Sequence, residues 1–273
     1  MAHALNSFHS LGTPLERMHP ITKIVAVLAL GLSALLWPDF TLGAALVLVL
    51  VVVAFLSKLG HPFMKLILGF GVPVAVMLLF IQGGYSSRNV TIIADWGFVR
   101  FGLEGIEHAA KLVTTLLVFL GSFYLMNKTT YAGRLVAALT QVGVSSKIGY
   151  LILASLNVVP QMQLRLAVIQ QAQNARGLDT QGGLVARLKA YIPILGPVVL
   201  SSLTDAQERG MTLETRGFGI DGVRRTSYVQ VHARRADFVV GCGLLLFLIM
   251  VAVLSVMWHC GIIPLPVLIG GSR

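Results

Sequence analysis

Charge is the scarcest ingredient of this chain. Only 12% of its 273 residues are Asp, Glu, Lys or Arg, against about 25% in an ordinary soluble domain. Apolar residues make up 56%, and the mean hydropathy is +0.81. A chain this poor in charge cannot cover a water-facing surface, so lipid must solvate much of it. Acids are scarcer than bases, with 11 against 21 and a net charge of +10. The bases lie between hydrophobic spans, which argues against nucleic acid as their partner and for a membrane-orientation bias. There are two cysteines, Cys242 and Cys260, at opposite ends of one apolar run. On a helix they stand about 27 Å apart, which excludes a disulfide between them.

Chemical motifs are also absent. No G-x-x-x-x-G-K-[ST] phosphate loop occurs, so the chain is not expected to bind or hydrolyse ATP. Gly217 to Gly222 formally match G-x-G-x-x-G, but a helical pattern precedes them and Arg224-Arg225 follow. Dinucleotide binding needs a strand before and a helix after that motif. The histidines (His3, His9, His19, His61, His108, His232 and His259) form no tight ligand pair. No cofactor or metal site is expected. Glu104, Glu107, His108 and Lys111 cluster at the start of an apolar run. They read as ordinary helix N-terminal chemistry, with Glu107 and Lys111 paired at i,i+4.

What is present is a set of hydrophobic runs long enough to span a bilayer. They are placed at about 21–37, 40–57, 63–82, 105–126 and 237–258. Gly69, Gly71 and Pro73 predict a bend or break in the third. The first run follows some twenty largely polar residues and no small-residue cleavage site follows it, so it reads as a retained span. Between Asn127 and Ala236 lie 13 basic and only five acidic residues. The positive-inside bias then places this segment and the N-terminus in the cytoplasm, and the 83–104 loop outside. The basic stretch from Arg224 to Arg235 reads as an anchor on anionic lipid or as a contact with a protein partner.

The expected fold class is therefore all-α, a polytopic helical membrane protein with about five transmembrane helices and long cytoplasmic helices. Three regions follow: 1–126 with the first four spans, 127–236 as the cytoplasmic helical region, and 237–273 with the last span. The middle region holds a short amphipathic piece, Tyr131 to Val142, and two long helical patterns. One runs Ser145 to Arg176 with Pro160 inside it, the other Gly182 to Arg216 with Pro193 and Pro197.

Both long patterns stop in the same way, at Ala175-Arg176-Gly177 and at Thr215-Arg216-Gly217. Glycine just past a helix accepts the left-handed backbone, and a cation in the last turn suits the helix dipole. One such end is ordinary. Two in tandem put a planar fork of donors on each of two rigid tips, a pairing that fits a partner with two equivalent grooves. In the second helix Ser202, Ala206 and Gly210 recur every four residues. Small residues at that spacing let another helix approach closely, so the two helices are expected to cross there with their Arg tips splayed apart.

The paired Arg-Gly ends resemble those of the T component of energy-coupling factor (ECF) transporters. His19-Pro20-Ile21-Thr22-Lys23, Ser146-Lys147-Ile148-Gly149-Tyr150 and Gly217-Phe218 extend the resemblance from about residue 15 to about 258. Thr215 departs from the family's usual Ala. The resemblance implies a non-catalytic subunit of the cell membrane, partnered by two ATPase subunits and a small substrate-binding S component. It implies that Ala175, Arg176, Gly177, Thr215, Arg216 and Gly217 engage the ATPases, and that ATP-driven closure moves the helices and releases a vitamin or metal ion inside. A self-sufficient secondary transporter is the alternative. It would need midplane ionisable groups and usually an inverted repeat, whereas the spans carry almost no charge and the halves show no repeat. An intramembrane enzyme would need paired catalytic groups at depth, and the spans offer none.

Overall fold

A computed structural model describes residues 12–84, 92–95, 100–177, 184–220 and 231–260. The protein is a polytopic helical membrane protein. Its helices are α1 (Pro14–Arg17), α2 (Pro20–Leu36), α3 (Phe40–Leu56), α4 (Gly60–Leu66), α5 (Val72–Leu78), α6 (Leu103–Thr129), α7 (Ala132–Val142), α8 (Ser146–Ala175), α9 (Leu184–Thr215) and α10 (Arg235–His259). Two short strands, β1 (Ile92–Asp95) and β2 (Arg100–Gly102), pair antiparallel in the segment that sequence alone reads as a plain loop. Among the described residues, contacts divide the chain into two compact units. One is 12–138 together with 231–260, and the other is 139–220.

The first unit is built around α6. Pro20 opens α2 at a position where the missing N–H costs nothing, and the His19 ring accepts from the backbone N–H of Ile21. Trp37, Pro38 and Asp39 end α2, and the Asp39 carboxylate caps α3 by accepting from Phe40 N–H at 2.7 Å. Leu46, Leu50 and Ala54 of α3 pack with Ala34, Leu59, Phe63, Val118 and Leu125 into one buried cluster. Close approach of α2 to α6 depends on Gly31, where a Cβ would fall 2.3 Å from the Phe119 ring. The last carbonyls of α2 find hydroxyl donors in neighbouring helices: Thr115 donates to Ala34 O, and Ser255 to Leu36 O at 2.7 Å. Helix ends leave such carbonyls without intrahelical partners, and here side chains from α6 and α10 satisfy them.

The run expected to bend at Gly69, Gly71 and Pro73 is continuous. It forms a 24-residue helix, Gly60–Gly83, with π-helical turns at Ile67–Gly71 and Leu79–Gly83 flanking α5. The wider turn just before Pro73 absorbs the hydrogen bond that proline cannot make. Outward faces of this unit are apolar. Leu56 is 73% exposed and Phe238 74%. In water, apolar area costs about 25 cal/mol per Å²; in a bilayer the same faces are at no disadvantage.

Among the described residues, four helices can cross a membrane by length and composition: Gly60–Gly83, Leu103–Thr129, Ser146–Ala175 and Arg235–His259. Pro20–Leu36 and Phe40–Leu56 are shorter apolar helices. At about 1.5 Å per residue they reach the lower limit of a spanning helix. Helix α8, which sequence alone reads as cytoplasmic, is thus long and apolar enough to be counted with the spans. Its second half carries Gln161, Gln163, Arg165, Gln170, Gln171, Gln173 and Asn174.

Candidate docking site on the long helical hairpin

In the second unit α8 and α9 form an antiparallel hairpin. The register follows from five contacts. The Tyr150 ring meets the Phe218 ring at 5.1 Å between centroids, and Gln161 accepts from Arg209. Arg165 reaches both Ser201 O and the Asp205 carboxylate, and Gln173 donates to Pro193 O. Each step forward along α8 is a step backward along α9. Arg216 therefore stands level with Ile152, near the start of α8, while Arg176 closes the other end of that helix. The stretch from Ile152 to Arg176 rises ~36 Å at about 1.5 Å per residue. The two arginines thus occupy opposite ends of one hairpin.

The two ends share one feature: a left-handed glycine follows the arginine and donates its N–H to the carbonyl three residues back. Arg176 is the C-cap of α8, its N–H donating to Gln173 O. Gly177 follows at φ +89 and donates to Asn174 O at 3.0 Å. Arg216 follows the last residue of α9. Gly217 at φ +69 donates to Glu214 O at 2.9 Å, and Phe218 N–H donates to Leu213 O at 2.8 Å. Those last two bonds are the paired closure of a Schellman motif. A side chain in the residue before the turning glycine projects off the helix end, and both Arg176 and Arg216 are exposed. Ala175 and Thr215 precede them. Thr215 turns its hydroxyl back onto Thr212 O at 3.0 Å, so the extra polar group is satisfied within its own helix.

Ser202, Ala206 and Gly210 lie along one wall of a groove between the helices, about 530 Å³ in volume. Tyr150, Met162 and Leu213 are among the other lining residues. Ser202 donates to Val198 O within α9, and a Cβ at Gly210 would meet nothing within 4 Å. Around this stripe the helices leave an open cleft, beside which run the polar contacts of Arg165 and Arg209.

Three relationships escaped sequence reasoning: the Arg165–Asp205 pair, the Tyr150–Phe218 contact and the burial of Lys23. Arg165 left a trace, since Lys147 is the only other charged residue in α8. Of the cluster at the start of α6, Glu104 lies in the first turn and His108 is exposed. Among the described residues no three His, Cys, Asp or Glu converge as metal ligands. The last two residues of the formal dinucleotide pattern, Asp221 and Gly222, lie outside the described residues, as do Arg224 and Arg225 of the basic stretch.

Comparison with known proteins places the chain in a family. The CbiQ family, described as cobalt transport protein, matches residues 12–228. A relative from Limosilactobacillus fermentum is named energy-coupling factor transporter transmembrane protein EcfT. It is 27% identical over 176 residues, covering 61% of this chain and 63% of the relative. Proteins of the same name from Lactococcus lactis and Listeria innocua are 26% and 28% identical. They cover 89% and 82% of this chain, and 93% and 87% of their own lengths. The chain thus spans just under two thirds of the first relative and most of the other two.

Proposed function

This chain belongs to the CbiQ family, and on that footing we propose that it is the transmembrane coupling subunit of an ECF-type importer. Two partner ATPases hydrolyse ATP, and a membrane S component binds the vitamin or metal ion. This subunit catalyses nothing and links the two. The observation that carries the reading is the pair of Arg tips: an exposed arginine before a left-handed glycine, twice, at opposite ends of one antiparallel hairpin. A dimer of ATPases offers two equivalent sites, and a guanidinium fork suits carboxylates and carbonyls lining each of them. In this reading Ala175, Arg176 and Gly177 engage one ATPase, and Thr215, Arg216 and Gly217 the other. Ser202, Ala206 and Gly210 line the cleft between the helices.

The basic excess of 127–236 supports a cytoplasmic hairpin and a cytoplasmic N-terminus in the cell membrane, with the Arg224 to Arg235 stretch on anionic lipid. The regions 1–126, 127–236 and 237–273 then act as membrane helices, coupling region and closing span. The test is a gentle-detergent pull-down from the native membrane. Two ATPase subunits and a small membrane protein are expected with the unmodified chain. The Arg176→Glu, Arg216→Glu double variant is expected to lose the ATPases and keep the membrane protein. Equal ATPase recovery by both would remove the arginines from the interface.

A further inference from the structure

Lys23 is a lysine on an apolar helix with only 4% of its surface exposed. A buried ammonium is tolerated when its donors are satisfied, and this one reaches three acceptors. Its Nζ donates to Thr129 O at 2.8 Å, Thr129 Oγ1 at 3.2 Å and Thr130 Oγ1 at 3.0 Å. Thr129 is the last residue of α6 and Thr130 its C-cap. The charge therefore sits on the carbonyl end of a long helix, where the dipole favours a cation. The neighbouring Thr22 donates to Asp237 O in the first turn of α10, and the Asp237 carboxylate in turn accepts from Arg234 N–H. Two consecutive side chains of α2 thus bind the end of α6 and the start of α10.

The joint held by Lys23 is short. Only Thr130 and Tyr131 separate α6 from α7. Thr130 is extended at φ −126, ψ 119, and the N–H groups of Arg134 and Leu135 both donate to Tyr131 O to start the next helix. The Tyr131 ring lies over Gly133, and Val136 and Ala138 of α7 are buried. Thr130 is therefore the point where the chain changes direction, and the lysine binds both its side chain and the residue before it.

We propose that Lys23 is a positioning residue that fixes the elbow between α6 and α7, and so sets the direction in which α7 leaves the end of α6. The elbow stands on the contacts around Lys23 alone; its consequence for partner binding rests on the coupling function proposed above.

The test uses the full chain in lipid nanodiscs, with Cys242 and Cys260 replaced by serine. Nitroxide labels go at Leu116→Cys on α6 and Ala132→Cys on α7, both exposed positions. Electron–electron resonance should give one sharp distance with Lys23 in place. Lys23→Met should replace it with a broad distribution, Lys23→Arg should restore the single peak, and Thr130→Val should broaden it partially. A folded Lys23→Met variant with an unchanged sharp peak overturns the proposal; where Lys23→Met fails to fold, an unchanged peak in Thr130→Val does so. In the pull-down, Lys23→Met should recover several-fold less ATPase than Lys23→Arg, although both arginines are intact. If the unmodified chain recovers no ATPase, the coupling function fails while the resonance result still decides the elbow.

Discussion

The guanidinium of Arg165 pairs with the Asp205 carboxylate at 2.6 Å and also donates to Ser201 O, so one side chain ties the middle of α8 to two successive turns of α9. The pair is partly open, with 31% and 41% of the two side chains exposed, so water screens it. Its contribution should be ~0.5–1 kcal/mol. A double-mutant cycle with Arg165→Met and Asp205→Asn, read by thermal unfolding in detergent, should return a coupling energy of that size. A coupling near zero would leave the hairpin held by its other polar and apolar contacts.

The Tyr150–Phe218 contact fastens the second Arg tip to the start of α8. Aromatic pairs at this separation add ~0.5–1.5 kcal/mol beyond the area they bury. Phe218→Ala should loosen the turn that follows Arg216 and reduce ATPase recovery in the pull-down, with the arginine itself unchanged. Tyr150→Phe keeps the ring and should behave as the unmodified chain. Equal recovery with Phe218→Ala and with Phe218 would confine the contact to stability.

Gly177 and Gly217 are the places where an added methyl group should tell. Both have left-handed φ values, which cost a residue with a Cβ roughly 1–2 kcal/mol. At Gly177 a Cβ would meet open space, so only the backbone term applies. At Gly217 it would also press on Ile220 Cδ1 at 3.2 Å. Gly217→Ala should therefore destabilise the hairpin more than Gly177→Ala, by roughly a few tenths of a kcal/mol, in parallel thermal unfolding curves. The reverse order would mean that Ile220 yields freely.

These glycines also show what could be read from the sequence. Gly177 and Gly217 mark the ends of α8 and α9 because the backbone there needs φ > 0, and glycine is the residue that supplies it. The apolar runs were legible for a similar reason, since lipid selects composition over a whole helix. The contacts of Lys23, Arg165 and Phe218 were not. Each joins residues far apart in the chain, and local spacing carries no record of a partner 106 residues away, as between Lys23 and Thr129. The π turns before and after α5 were half legible: Gly69, Gly71 and Pro73 signalled an irregularity, and the hydrogen-bonding of a continuous helix decided its form.

The end of α3 hides the same turn under a different residue. Lys58 N–H donates to Phe55 O and Leu59 N–H to Ala54 O, the paired bonds seen at Gly217, and Lys58 occupies the turning position at φ 58. It is the one non-glycine residue with positive φ among the described residues. Holding a lysine there costs roughly 1 kcal/mol, and no side-chain contact is needed to explain the turn. Lys58→Gly should then raise stability by up to about 1 kcal/mol, because relief of the left-handed strain outweighs the extra backbone entropy glycine loses on folding. Lys58→Val should lower it, since a β-branched residue is least tolerant of this conformation. Thermal unfolding of the three proteins in one detergent gives the order directly. If Lys58→Gly is less stable than the lysine chain, the ammonium contributes more at this turn than the strain costs, and a basic group there is held by an anionic surface.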